Sequence, residues 1–177
     1  MLKRVDLQLG FRTDPNVFKK MFQFKGRIRR SEYWWGVLVF TICAIVLSLI
    51  PFIGQIAVLF LYIAATSMLF RRLHDTGRSG WWWGCQFCLG FISLIFFATA
   101  IDFHAYMQAV AEDNATEIIK VISAGLTGTS GVLGLIFYLV AFILDLVLFA
   151  FTLLDSKPEA NKYGDSPKYV AENVAEE

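Results

Sequence analysis

Charge is what this chain has least of. Only 18% of its 177 residues are charged, against 56% hydrophobic. A soluble domain of this size carries about 25% charged and about 45–50% apolar residues, so an ordinary water-soluble domain is excluded. Histidine is also scarce. His74 and His104 are the two present, and a whole apolar run separates them, so no H-x-x-x-H metal pair exists. The three cysteines, Cys43, Cys85 and Cys88, all fall inside apolar runs, which argues against a disulfide framework. Cys85-Gln86-Phe87-Cys88 spells C-x-x-C without the second pair a zinc site needs, and reads as small polarizable residues packing between helices. No G-x-S-x-G nucleophile turn is present. The first thirty or so residues are polar, so no cleavable signal peptide is expected. These absences leave no expected catalytic residue, metal or cofactor, and nucleic acid is not an expected partner.

What is present is four long apolar runs. Trp34–Ile50, Phe52–Phe70 and Trp81–Ile101 are charge-free, and Val132–Leu154 contains one charge, Asp145. About 17–25 apolar residues carry a helix across the hydrocarbon layer, and irregular backbone there would leave unpaired groups costing several kcal/mol each. The expected fold is an all-α integral membrane protein with four transmembrane helices. Pro51-Phe52-Ile53-Gly54 is tight enough to make the first two an antiparallel helical hairpin. The chain thus divides into a basic arm (1–33), a four-span domain (34–154) with an outer segment (102–131), and a tail (155–177).

Net charge is +1, but the sign is unevenly distributed. Residues 102–131 carry Lys120 alone against Asp102, Glu112, Asp113 and Glu117, and the other fifteen of the sixteen basic residues lie on the opposite side of the spans. Basic loops stay in the cytoplasm, so both termini are expected there, with 102–131 outside. Asp14-Pro15 is a plausible helix start, followed by Val17, Phe18, Met21 and Phe22 at helical spacing. That pattern fits a short helix in the interface plane or an arm packed on the membrane domain. Asp102–Ser123 is expected to form one amphipathic helix with Ile118, Ile119 and Ile122 on its apolar face. Gly125, Gly128, Gly131 and Gly134 then loosen the start of the fourth span, and residues 171–177 are expected to be disordered.

Three polar motifs fall at the basic end. Phe24-Lys25-Gly26-Arg27-Ile28-Arg29-Arg30-Ser31-Glu32-Tyr33-Trp34-Trp35 leads into the first span. Arg71-Arg72-Leu73-His74-Asp75-Thr76-Gly77-Arg78-Ser79-Gly80-Trp81-Trp82 joins the second and third. Asn161-Lys162-Tyr163-Gly164 follows the fourth. This order and wording resemble the bacterial membrane family labelled domain of unknown function 805, over about Phe18 to Pro167. The resemblance implies a small four-helix protein of the bacterial inner membrane, and it brings no established activity, substrate or cofactor. The long outer segment departs from the family's short form.

The second motif admits three readings. Arg71 and Arg72 complement a helix C-terminus, Ser79 or Asp75 can cap the third span, and an arginine paired with Asp75 or Glu32 would clamp the hairpins together. Alternatively, Arg27, Arg30, Arg71, Arg72 and Arg78, with His74 and Asn161 nearby, form a site for anionic lipid head groups. In a third reading His74 acts as a base oriented by Asp75. Trp34, Trp35, Trp81 and Trp82 read as interface anchors. Asp145 lies about 13 Å inside the fourth span, where an acid is a functional candidate. Its possible partners are Arg71, Arg72, Tyr62, Thr66 and Ser67, and it supports a transporter reading. The expected function is a non-catalytic scaffold engaging anionic lipids, a membrane-protein partner or a second copy of itself.

Overall fold

The computed structural model describes residues 2–4 and 21–171. Most of the helix expected over Asp14–Phe22 lies outside the described residues, and its last positions, Met21 and Phe22, occupy a turn. The elements in order are β1 (Leu2–Arg4), α1 (Arg30–Ser48), α2 (Ile53–Asp75), α3 (Trp81–Ala100), α4 (Phe103–Ala111), α5 (Ala115–Thr127), α6 (Thr129–Leu153) and β2 (Tyr169–Ala171). The 19, 23, 20 and 25 residues of α1, α2, α3 and α6 are long and apolar enough to cross a membrane. The fold is therefore the four-span, all-helical one, with a single three-residue antiparallel ladder between β1 and β2 added to it.

The chain forms two compact units. One holds the described residues up to Gly80 and from Phe149 onward, and the other is Trp81–Leu148. In the first, α1 begins where Glu32 turns back to accept the Arg29 N–H at 3.3 Å, one half of a capping box. After Ser48 the chain reverses through Pro51 and through Phe52, whose φ is 59°. Gly54 is required at this bend because a Cβ there would overlap the Leu47 carbonyl. The hairpin then packs Ile28, Tyr33 and Phe40 against Ala64 and Met68.

The second helix continues one turn past its expected end at Phe70, so Arg71–Asp75 are helical rather than loop. Its stop is chemical. Gly77, with φ 77°, donates to the His74 carbonyl at 3.0 Å, and Arg78 N–H donates to Leu73 at 2.8 Å. That double closure is a Schellman motif, which favours glycine at this position. It also keeps Asp75 inside α2, so Asp75 does not cap α3.

In the second unit, Ser93 donates to the Gly134 carbonyl at 2.9 Å, and Phe96 stacks on Phe137 with centroids 5.5 Å apart. The outer segment holds two helices instead of one. Asn114 accepts the Glu117 N–H at 3.2 Å, and Asp113 takes φ 50°, so a second N-cap forms after α4 and breaks the run. The glycines tighten the packing rather than loosen it: a Cβ at Gly131 would overlap the Gly125 carbonyl. The three cysteines are free and exposed, not packed between helices.

Candidate functional site

The polar motifs of the first unit meet at the C-terminal ends of α2 and α6. Each helix end presents carbonyls without intrahelical partners and the negative end of a dipole, so this corner favours cations. Arg72 lies one turn inside α2 and is fully buried. Its Nε donates to the Thr152 carbonyl at 3.1 Å, one Nη donates to Leu154, and the other reaches Asp75 at 2.6 Å and Ile28 at 3.5 Å. One guanidinium thus ties α2 to the end of α6 and to the segment preceding α1.

Asp75 completes the arrangement. Its carboxylate is 0% exposed and accepts Arg27 Nε at 3.0 Å on the opposite oxygen from Arg72. Ser156 Oγ donates to the Arg72-side oxygen at 2.5 Å. The rest of Arg27 is also engaged, reaching the carbonyls of Lys157 at 2.5 Å, Glu159 at 2.8 Å, Gly164 at 3.2 Å and Asp75 itself at 3.3 Å. Two buried arginines face one carboxylate, and the surplus positive charge is met by carbonyl oxygens. A buried ion pair endures only when its remaining hydrogen-bonding groups are satisfied, and that condition is met here.

His74 has a positional role. Its Nδ1 lies 3.2 Å from the Gly26 carbonyl and therefore donates. Its ring stacks on Tyr163 with centroids 3.6 Å apart, and Asn161 Nδ2 donates to its carbonyl at 3.0 Å. The Asn161–Gly164 turn closes on itself through reciprocal backbone bonds of 3.1 and 2.9 Å, with Gly164 at φ 124°. All three motifs thus touch.

The remaining candidate residues are placed differently. Arg78 lies 3.8 Å above the Phe151 ring. Arg30 donates to the Leu153 carbonyl at 3.2 Å, adding to the cations on the end of α6. Glu32 is engaged at the start of α1, and Ser79 is half-buried in the turn before α3. Trp34 packs edge-on against Tyr33 and Phe149, whereas Trp35, Trp81 and Trp82 are exposed. In the second unit Asp145 accepts Gln86 Nε2 at 3.2 Å, a partner absent from those the sequence suggested. Among the described residues, no group of three or more His, Cys, Asp or Glu is arranged to hold a metal ion.

Outside the buried cluster, Lys168 pairs with Asp155. The Lys168 hydrogen bond, with smaller contributions from the Ser156 N–H and Arg30, holds the Asp155 carboxyl below its ordinary range. Sequence reasoning missed Ser156 and the carbonyls of 152–164, and it placed Tyr163 in the tail motif without giving it a contact. Ser156 carried no local signal.

The family model described as Protein of unknown function (DUF805) matches residues 21–110. This includes the first two motifs but stops before α6 and the tail motif, so it is shorter than the expected Phe18–Pro167. The inner membrane protein YhaI of Escherichia coli K12 is 33% identical over 96 residues, covering 48% of this chain and 80% of that protein. The inner membrane protein YhaH of the same strain is 36% identical over 78 residues, 37% of this chain and 64% of that protein. No solved structure matches. The matched region covers just over half of the sequence, and this membrane protein belongs to the DUF805 family of proteins of unknown function.

Proposed function

We propose that this protein resides in the bacterial inner membrane with its motif-bearing end toward the cytoplasm, and that this end is a rigid, non-catalytic platform for anionic phospholipid head groups. The observation that carries the reading is the buried Arg27–Asp75–Arg72 cluster. It fixes the segment before α1 and the tail after α6 onto the end of α2, so the surrounding charges occupy set positions. Residues 21–33, 71–80 and 155–169 together hold ten cationic and five anionic side chains. A surplus of five at the end of membrane helices attracts anionic lipid at about 1 kcal/mol per basic residue. The basic bias also supports the orientation.

The test is lipid retention by the purified full chain. Native mass spectrometry from micelles holding equal phosphatidylglycerol and phosphatidylcholine should show the anionic lipid bound preferentially, and less of it at high salt. Equal retention of both lipids would reject the platform. A second reading, a small transporter, is favoured by the Gln86–Asp145 hydrogen bond between two spans. It requires an Asp145→Asn variant that folds normally but loses a proton-coupled flux.

A further inference from the structure

Beside the buried cluster lies a cleft of about 250 Å³ bordered by Gln23, Lys25, Gly26, Arg71, Tyr163 and Asp165. Arg27 also borders it, but all three of its nitrogens are committed to the cluster. Arg71 differs. It is 6% exposed, yet its one hydrogen bond among the described residues runs from Nε to the Ser67 carbonyl at 3.5 Å. Arg71 borders the cleft. Its two Nη groups have no hydrogen-bond partner among the described residues and are not among the fully buried unpartnered atoms, so they are open to the cleft. Glu32 accepts the Arg29 N–H and lies beyond ion-pairing distance of Arg71, yet its charge favours the guanidinium.

An arginine buried along its stem, with its fork open to a cleft, suits a planar anion, and the fork matches phosphate or carboxylate oxygens. Lys25 is exposed at the mouth of the cleft and supplies a second charge. His74 hydrogen-bonds Gly26 and stacks on Tyr163, so one ring ties together two residues of the lining. Asp165 on the rim opposes a highly charged guest. The volume is below the roughly 300–1,000 Å³ of ordinary small-molecule pockets, which suits a small anionic group rather than a whole metabolite.

We infer that this cleft binds one phosphoryl group through Arg71 and Lys25. The inference deepens the platform reading and rests on it only for the source of the phosphoryl group, a phospholipid head group rather than free phosphate.

The experiment compares wild type with Lys25→Ala, Arg71→Gln and, as a control outside the cleft, Lys120→Ala. Each full-length protein is purified in neutral detergent. Phosphatidylglycerol retention is read by native mass spectrometry and inorganic phosphate binding by calorimetry. Wild type should retain phosphatidylglycerol, Lys25→Ala and Arg71→Gln should each weaken it about tenfold or more, and Lys120→Ala should match wild type. Retention unchanged in both cleft variants overturns the cleft while leaving the platform standing. Phosphate binding lost in the cleft variants, without any preference for phosphatidylglycerol, upholds the cleft and overturns the platform. No binding of either probe overturns both. Lys25 is exposed and makes no hydrogen bond or ion pair among the described residues, so its variant decides the matter if Arg71→Gln fails to fold.

Discussion

The sharpest consequence of the buried cluster concerns Asp75. Replacing it with asparagine keeps the shape but removes the charge that two buried arginines share. The side chain is 0% exposed and lies 3.0 Å from Arg27 and 2.6 Å from Arg72. Breaking a buried pair by removing one partner costs about 3–5 kcal/mol, because it leaves an uncompensated charge. Asparagine also turns an N–H₂ donor toward a guanidinium or the Ser156 hydroxyl, forfeiting one hydrogen bond worth about 0.5–1.5 kcal/mol. Together these give a loss of about 4–6 kcal/mol, a large fraction of the stability of most domains. Ser156→Ala, which removes only the hydroxyl, should cost about 1 kcal/mol. Reversible unfolding in mixed micelles, titrated with a denaturing detergent, reads both. A loss under about 1 kcal/mol for Asp75→Asn would mean that water reaches the carboxylate, and the reasoning would fail.

Further outcomes follow from individual geometries. Gly164→Ala places a Cβ at φ 124° and should destabilise the tail turn by about 1–3 kcal/mol, visible as faster proteolysis after Leu154 in limited digestion. Gln86→Leu removes the polar contact between α3 and α6 and should cost about 0.6–1.7 kcal/mol. A double-mutant cycle with Asp145→Leu should return a coupling of that size. Asp155 is held below its ordinary 3.8 chiefly by Lys168, so its contribution is complete above that pH and disappears as pH falls through the lowered value. The pair is partly exposed and worth about 0–1 kcal/mol, so Asp155→Asn should lower neutral stability by no more than that amount and flatten the small acid-side slope in tail protection below about pH 4.

The spans were legible because lipid imposes length and the exclusion of charge, and both are visible residue by residue. Their ends were less so. α2 runs through Arg71–Asp75 because polar residues there are buried by other segments, a tertiary circumstance invisible in a hydropathy pattern. The signal that could have found the true stop was Gly77 two residues beyond Asp75, the position a Schellman cap requires. Asn114 likewise marked the break between α4 and α5, since it is both a good cap and preceded by Asp113, a residue tolerant of left-handed backbone. In the site, Arg72, His74 and Asp75 stood out by local density. Arg27 was a candidate as well, but its pairing with Asp75 across 48 positions was not legible, nor was that of Ser156 across 81. Only packing brings such residues together.

That a polar cluster, rather than an apolar core, joins these segments follows from the solvent. Leu49 is 78% and Phe52 86% exposed. Lipid tails are as apolar as leucine, so apolar burial gives membrane helices little reason to prefer one partner over another. Hydrogen bonds to the carbonyls that end a helix do discriminate, because nothing else nearby can satisfy them. The adjacent arginines separate this duty from recognition. Successive helical residues point about 100° apart, so Arg72 enters the cluster while Arg71 faces the cleft. Arg72 must bond Asp75 and the Thr152 and Leu154 carbonyls at once, which a planar fork can do and a single ammonium cannot. Arg72→Lys should therefore leave buried carbonyls unmet and cost about 1–3 kcal/mol. Arg71→Lys keeps a charge at the cleft and should cost less than about 1 kcal/mol, while weakening phosphoryl retention through loss of the fork. Unfolding curves and lipid retention measured on both variants separate the two roles. Equal destabilisation by both substitutions would mean that Arg71 belongs to the same structural cluster as Arg72.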